Sequence, residues 1–330
     1  MKKYKVKIFY IIFMSIVCLL SFNASLEAAC GGGNCSLITG SQDGVLDKGK
    51  FIIDLSYRYV LAENPHRGSN STNEAKTPKV NFATRSIDLE EHTEIRTINK
   101  LVQFDVSYGM TDKLTLSLNV PMFNDRYHEH KEGAGAIENN NGTTGFGDIT
   151  LLAKYALLET TKHLLVGGVG IKFATGDYKL VDAGGSINEP TLQAGTGSYD
   201  AILSGIYNYS VIPNTLSIFT SMSHRFTTEN DLDYLFGDTT LIDVGADYLL
   251  SNKVSVSSQL NLRISGRDEF VNLDVPSTGG EFLFFTPGVR LAVSRDVSIY
   301  SHVQLPLYQR VKDENLVEDY GIMLGVSYGF

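Results

Sequence analysis

The chain has 330 residues, with 31 Gly, 17 Tyr, 17 Phe, no Trp, a net charge of −9 and a mean hydropathy of −0.04. An acidic chain without basic clusters excludes nucleic acid as a partner. No run after Phe22 reaches about 18 consecutive apolar residues, which excludes a later transmembrane helix. A membrane β-barrel keeps such an average, because water-facing and lipid-facing residues alternate along its strands.

The first residues read as a secretory signal. Lys2, Lys3, Lys5 and Lys7 form a basic start, Ile8 to Phe22 is almost wholly apolar, and Ala28 and Ala29 offer a cleavage site. Residues 1–29 are expected to be removed on export through the Sec pathway, leaving residues 30–49 as a short periplasmic segment. That segment carries Cys30 and Cys35, separated by Gly31-Gly32-Gly33-Asn34. In an oxidising periplasm so flexible a loop could close into a disulfide. Lipidation of Cys30 stays open, although Glu27 stands where a lipoprotein signal prefers an apolar residue. No His lies nearby to support haem or metal at this point.

From residue 50 to residue 330 the governing signal is a two-residue period, which puts alternate side chains on opposite faces of a strand. Ile53, Leu55, Tyr57 and Tyr59 alternate with Asp54, Ser56 and Arg58; Val102, Phe104, Val106 and Tyr108 alternate with Gln103, Asp105 and Ser107. Leu114 to Met122 and Ile149 to Tyr155 repeat the pattern, the second with Lys154 on the polar face. Strands near Leu165 to Phe173 and Tyr199 to Tyr209 are blurred by Gly. Leu216 to Met222, Ile242 to Tyr248 with Asp247, Val254 to Ile264 with Arg263, Val289 to Val293 with Arg290, and Val297 to Leu307 follow. Last come Tyr320, Ile322, Leu324, Val326, Tyr328 and Phe330, alternating with Gly, Met and Ser. This final strand resembles the C-terminal segment through which outer-membrane barrels are recognised by the barrel-assembly machinery.

Twelve strands result. Short turns near Gly109 to Lys113, Glu159 to Lys162, Ser210 to Asn214, Leu250 to Lys253 and Arg295 to Asp296 alternate with longer polar loops. The longest are Leu61 to Glu94, Asn124 to Gly145 and Thr175 to Gly197. The expected fold is an all-β transmembrane antiparallel barrel in the outer membrane of a Gram-negative-type cell. Its N- and C-termini face the periplasm and its long loops face outward, against lipopolysaccharide. Closure is required because an open strand edge in hydrocarbon leaves unpaired backbone groups, each costing several kcal/mol. Tyr57, Tyr59, Tyr108, Tyr155, Tyr248, Tyr328 and Phe330 are candidates for the interfacial girdles.

Twelve strands about 4.8 Å apart and tilted about 40° give a backbone diameter of roughly 24 Å, leaving a bore of roughly 12 Å at most once side chains are added. Arg58, Asp105, Lys154, Lys172, Asp247, Arg263 and Arg290 are the candidate pore-lining residues. They imply a wet passage for small molecules. The alternative is a non-conducting barrel that binds or adheres through acidic loops around Asp231, Asp233, Asp268, Glu269, Asp313 and Glu314.

Gly145-Phe146-Gly147-Asp148-Ile149-Thr150-Leu151-Leu152-Ala153-Lys154-Tyr155 resembles the outer-membrane family named for the meta-pathway of phenol degradation. So does Gly170-Ile171-Lys172-Phe173-Ala174-Thr175-Gly176-Asp177, with Ala174 where the family usually has Pro. The resemblance implies a transporter of small, often hydrophobic or aromatic compounds. Gly145 and Gly147 suit a tight entry into a strand, and Asp148 suits capping of backbone amides.

A histidine-rich rim is the other constellation. Counting outward from the turn at Thr111 sets Tyr108 opposite Leu114, Glu94 opposite His128, Arg96 opposite Arg126 and His92 opposite His130. His92, Glu94, His128 and His130 would then share one face of a protruding ribbon and suit Zn, Cu or Ni. By parity they continue the lipid-facing row, where a solvated rim or lipopolysaccharide contact are the competing readings. A single bulge would scatter the cluster. No other cofactor is indicated. Catalysis finds little support: Gly-x-Ser-x-Gly and the P-loop are absent, and the neighbours Ser223 and His224 point to opposite faces.

Overall fold

A computed structural model describes residues 44–132, 135, 137–139, 142–182 and 185–330. The expected signal peptide, Cys30, Cys35 and most of the 30–49 segment lie outside the described residues.

Twelve long strands run antiparallel in chain order: β1 (Phe51–Arg67), β2 (Ser86–Thr111), β3 (Leu114–Glu132), β4 (Thr150–Glu159), β5 (His163–Lys172), β6 (Asp200–Ile212), β7 (Leu216–Phe226), β8 (Thr239–Ser251), β9 (Val254–Ser265), β10 (Gly280–Ala292), β11 (Val297–Val311) and β12 (Glu314–Gly329). Each pairs with its neighbours in sequence, and β1 pairs with both β2 and β12. Phe51 and Phe330 exchange two backbone hydrogen bonds of 3.0 Å at the seam. No barrel edge is left bare, as a hydrocarbon environment demands.

The alternation works as the sequence demands. Leu55, Val169, Val244, Leu260, Val289 and Leu324 are exposed on the outer wall, while Asp54, Arg58, Asp105, Gln259 and Arg263 are buried inside. Near the termini Phe51 stacks on Tyr108 and Phe330, with centroids 4.3 and 5.3 Å apart; higher up Tyr59 stacks on Tyr320 at 6.1 Å. The eight steps from Phe51 to Tyr59, at about 3.3 Å each and tilted about 40°, separate the two aromatic levels by roughly 20 Å, close to the apolar band. Beyond the upper level the outer wall turns ionic, with Lys100–Asp125 at 2.8 Å and Arg96–Glu63 at 3.1 Å.

Two expectations about the loops need correction. Much of 61–94 and 124–145 is strand, because β1, β2 and β3 continue past the ionic level. Outside lipid both faces tolerate polar groups, so the ladder persists where the alternation fades. Secondly, β11 and β12 are joined by Lys312 and Asp313 alone, with Asp313 at φ 63°. Strands of 15 and 16 residues already climb beyond the band, so a tight turn replaces the long loop.

Candidate functional site

The inner wall is polar but thickly networked. Tyr300 Oη donates to Asp54 (2.7 Å), Gln103 and Asn119 donate to Asp105 (2.9 and 2.8 Å), and Ser221 and Asn261 donate to Asp243 (2.8 Å each). The Arg290 guanidinium lies 5.0 Å over Tyr300 and donates to Ser298 at 3.0 Å. Gly325 makes room for Tyr300: a Cβ there would sit 2.8 Å from Cε1. Arg58, Asp105, Lys154 and Arg263 are buried inside, and Asp247 and Arg290 half-buried. The bonded side chains lie along the wall, so the free bore is narrower than backbone geometry alone allows.

Lys172 has a different role from that of a pore liner. Its Nζ reaches Asp148 and Asp200 at 3.0 Å each and Ser198 at 3.2 Å, and it also bonds Thr196. Asp148 further accepts the amides of Gly176 (2.9 Å) and Thr196 (2.8 Å), while Asp177 accepts that of Phe146 (2.9 Å). Gly145 and Gly176 allow this closeness. A Cβ on the first would lie 2.6 Å from Asp177 Oδ2, and one on the second 2.8 Å from Gly195 Cα. The two motif pieces thus form one knot, and the capping expected of Asp148 is what its carboxylate does.

The knot ties the 173–199 connection into the mouth of the barrel. Asn124 Nδ2 donates to Ala194 O at 2.6 Å, and Leu192, Gln193 and Ala194 are buried. Above it the other loops build a cap. Ala75–Asn81 pairs with β2, and Tyr234–Leu235, Asp268–Phe270 and Leu273–Val275 form a small sheet. Val80, Tyr234, Phe236, Phe270 and Val275 give the cap its own apolar core. Several of the acidic loop residues are struts of this cap. Asp268 accepts Tyr234 Oη (2.5 Å) and the Gly237 amide (3.0 Å), and Asp231 pairs with Lys179 (2.5 Å). Asp233 pairs with Arg85, Asp313 with Arg267 (2.6 Å) and Glu314 with Arg67. Paired in this way they brace the loops, while the Asp231, Asp233 and Asp313 side chains stay exposed.

The histidine cluster exists, but its register and its side of the wall differ from expectation. Tyr108 faces Leu116, Glu94 faces His130, His92 faces Glu132, and Thr97 faces His128. The turn at Asp112 and Lys113 sets Thr111 opposite Leu114, and Met110, an extra residue beside it, then brings Tyr108 opposite Leu116. Two further bulges follow: Met122 is unpaired in β3 and Ile95 in β2. Each reverses parity once. The lipid-facing row therefore turns inward in both strands above the membrane, bringing the four side chains together inside the mouth rather than scattering them.

His92, His128 and His130 are almost wholly buried there, with ligand nitrogens within 4.8 Å of one another. Glu94 Oε2 lies 3.3 Å from His128 Nε2 and Glu94 Oε1 lies 3.6 Å from His92 Nε2; Glu189 is 3.7 Å from His92. Thr97 Oγ1 holds His128 Nδ1 at 3.0 Å, and Thr77 donates to Glu94 at 2.7 Å. Burial, helped by His130 and His128, pushes His92 down to about 3; burial and His130 push His128 down to about 3; burial lowers His130. Burial thus favours the uncharged form of each ring. Burial, with the nearby Glu189 charge, raises Glu94, and burial raises Glu189.

Two cavities meet this cluster. An inner one of about 160 Å³ is lined by Pro78, Leu192, Phe282, Val317, Arg263 and Glu318, with Glu94, His128 and Glu189 at its margin. An outer one of about 870 Å³ is bordered by His92, Lys79 and Glu132. Arg263 pairs with Glu318 at 2.8 Å and stacks 4.2 Å over Phe282. Glu189, Glu318 and Phe282 escaped the sequence reading. The first lies in a loop, and the run Phe282 to Phe285 breaks the alternation because Phe282 and Phe284 both turn inward onto Arg263.

No family model matches the chain. An outer-membrane channel from Pseudomonas putida F1 shares the architecture, with a TM-score of 0.63 at 15% identity, over 89% of this chain and 100% of that one. The chain is an outer-membrane-type β-barrel. The toluene transporter TodX of P. putida is more distant, with a TM-score of 0.43 at 11% identity over 92% and 98% of the two chains. A curated relative, benzoyl-CoA oxygenase component B of Aromatoleum evansii, is 26% identical over 144 residues. That match takes in 39% of this chain and spans only 30% of the relative's length.

Proposed function

We propose that the barrel is an outer-membrane channel for small, partly apolar solutes of about one aromatic ring. The observation that carries this reading is the inner cavity. Its volume of about 160 Å³ is near the roughly 150 Å³ of an apolar cavity that takes up benzene. Phe282, Leu192 and Val317 supply apolar walls, while Arg263 and Glu318 offer a donor and an acceptor to a hydroxyl or carboxyl on the ring. The motif resemblance to the phenol meta-pathway family points to the same solute class, and the P. putida likeness supplies the same architecture.

On this reading the chain leaves the cytoplasm through the Sec pathway and is inserted by the barrel-assembly machinery through β12. Its turns face the periplasm and its cap faces lipopolysaccharide. Transport rather than catalysis is its work. His224 Nδ1 bonds Thr240 Oγ1 at 2.9 Å rather than Ser223. Ser257 lies 3.4 Å from His302 Nε2, but His302 Nδ1 has no hydrogen-bond partner among the described residues to complete a triad.

The test is current across planar bilayers. The purified protein should give discrete steps that a one-ring solute such as phenol blocks reversibly, and Phe282→Ala should weaken the block. A folded protein that stays electrically silent throughout would favour a non-conducting binding barrel instead.

A further inference from the structure

The cluster in the mouth has features that a wall of packed loops does not require. Three imidazoles converge where apolar packing would be expected, and a buried nitrogen left without a partner costs about 1–3 kcal/mol. His128 Nε2 and both ring nitrogens of His92 have no hydrogen-bond partner among the described residues, and both rings are almost wholly buried. Thr97 holds His128 Nδ1 and leaves Nε2 as the nitrogen aimed at Glu94. That arrangement is how an outer group fixes the tautomer and direction of a metal-binding histidine.

We propose that His92, His128, His130 and Glu94 form a transition-metal site, and that an ion bound there closes the partition between the outer and inner cavities. The donor set, three imidazoles and one carboxylate, suits Zn²⁺ or Cu²⁺ and not Ca²⁺ or Mg²⁺, which require mostly oxygen ligands. Distances allow it. A tetrahedral ion with bonds of about 2.0–2.1 Å holds its ligand atoms about 3.3 Å apart. The Glu94–His128 pair is already at 3.3 Å and the Glu94–His92 pair at 3.6 Å. The widest separation among the histidine nitrogens, 4.8 Å, must shrink by about 1.5 Å, within reach of small side-chain rotations.

Position gives the ion a consequence. His92 borders the outer cavity, whereas His128 and Glu94 border the inner one. The cluster thus spans from one cavity to the other, so drawing its side chains together on one ion narrows the way between them. Metal binding does not depend on solute transport; the closure does, and it rests on the channel reading above.

Two measurements separate the claims. Calorimetry on the detergent-purified chain should show one Zn²⁺ bound per protein, unaffected by excess Mg²⁺ or Ca²⁺. His128→Ala and His130→Ala should each abolish it, while Thr97→Val weakens it about tenfold and Thr97→Ser restores it. Thr97→Val leaves all four ligands in place, so it remains informative if an alanine variant misfolds. Absence of Zn²⁺ binding by the folded wild type overturns the site. So does binding that survives the histidine changes and disappears with Cys30→Ser/Cys35→Ser. In planar bilayers Zn²⁺ added on the cap side should suppress the current of the wild type but not of His128→Ala. Binding without suppression overturns the closure and leaves the site standing, whereas a silent wild type that binds Zn²⁺ counts against the channel reading alone.

Discussion

Replacing Lys172 by Met removes the cation at the centre of the loop knot. Lys172, Asp148 and Asp200 are all nearly inaccessible to water, and the ammonium bonds both carboxylates at 3.0 Å. Breaking a buried pair by deleting one partner costs about 3–5 kcal/mol, because the remaining charge is left uncompensated. Asp200 keeps Arg225 at 3.7 Å and Asp148 keeps two backbone amides, so the whole of that range applies. The barrel ladders do not depend on this group, and the cost should therefore fall on local opening of 173–199. At about 1.4 kcal/mol per power of ten, the open fraction should rise roughly two to three and a half decades. Amide hydrogen exchange in detergent micelles reads this directly. The amides of Gly176 and Thr196, both held by Asp148, should exchange far faster, while those of β9 keep their protection. Adding Asp148→Asn should return part of the loss by removing one stranded charge. If Gly176 and Thr196 exchange no faster in a folded Lys172→Met protein, the knot does not hold the loop and the reasoning fails.

Leu260 projects outward from the middle of β9, so Leu260→Arg should cost about 2–4 kcal/mol in urea titrations of vesicle-embedded protein. No change would mean that this face does not meet lipid. Deleting Met122 removes the extra residue of β3 but keeps Pro121 opposite Gln103 and Phe123 opposite Val102, so His128 and His130 should still face inward and Zn²⁺ binding should survive. Lost binding with the β-type circular dichroism intact would show that pairing across the bulge does not set their direction.

The barrel was legible because lipid enforces the alternation. An outward charge costs so much within the apolar band that each strand declares its two faces, and β12 keeps Tyr320, Leu324, Val326, Tyr328 and Phe330 out of the lumen. Above the band that pressure ends, and there the sequence reading went astray. The 61–94 and 124–145 stretches look like polar loops, yet their backbones go on pairing. The parity of the histidines was misread because one unpaired residue is invisible to periodicity when polar side chains flank it. The doublet Met122-Phe123, with both side chains exposed, was the one available sign that β3 changes face. Ile95 left no comparable mark. Nor could the partners from the 173–199 connection be foreseen: Glu189 meets His92 only because Lys172 ties that loop inside the mouth.

The most direct measurement is solute entry into proteoliposomes across a size series. Single-ring compounds carrying one hydroxyl or carboxyl should enter markedly faster with the protein than without it, and fused two-ring analogues should gain nothing, because the inner cavity holds about 160 Å³. Entry rates equal with and without the folded barrel, or an advantage that ignores solute size, would contradict a ring-sized passage.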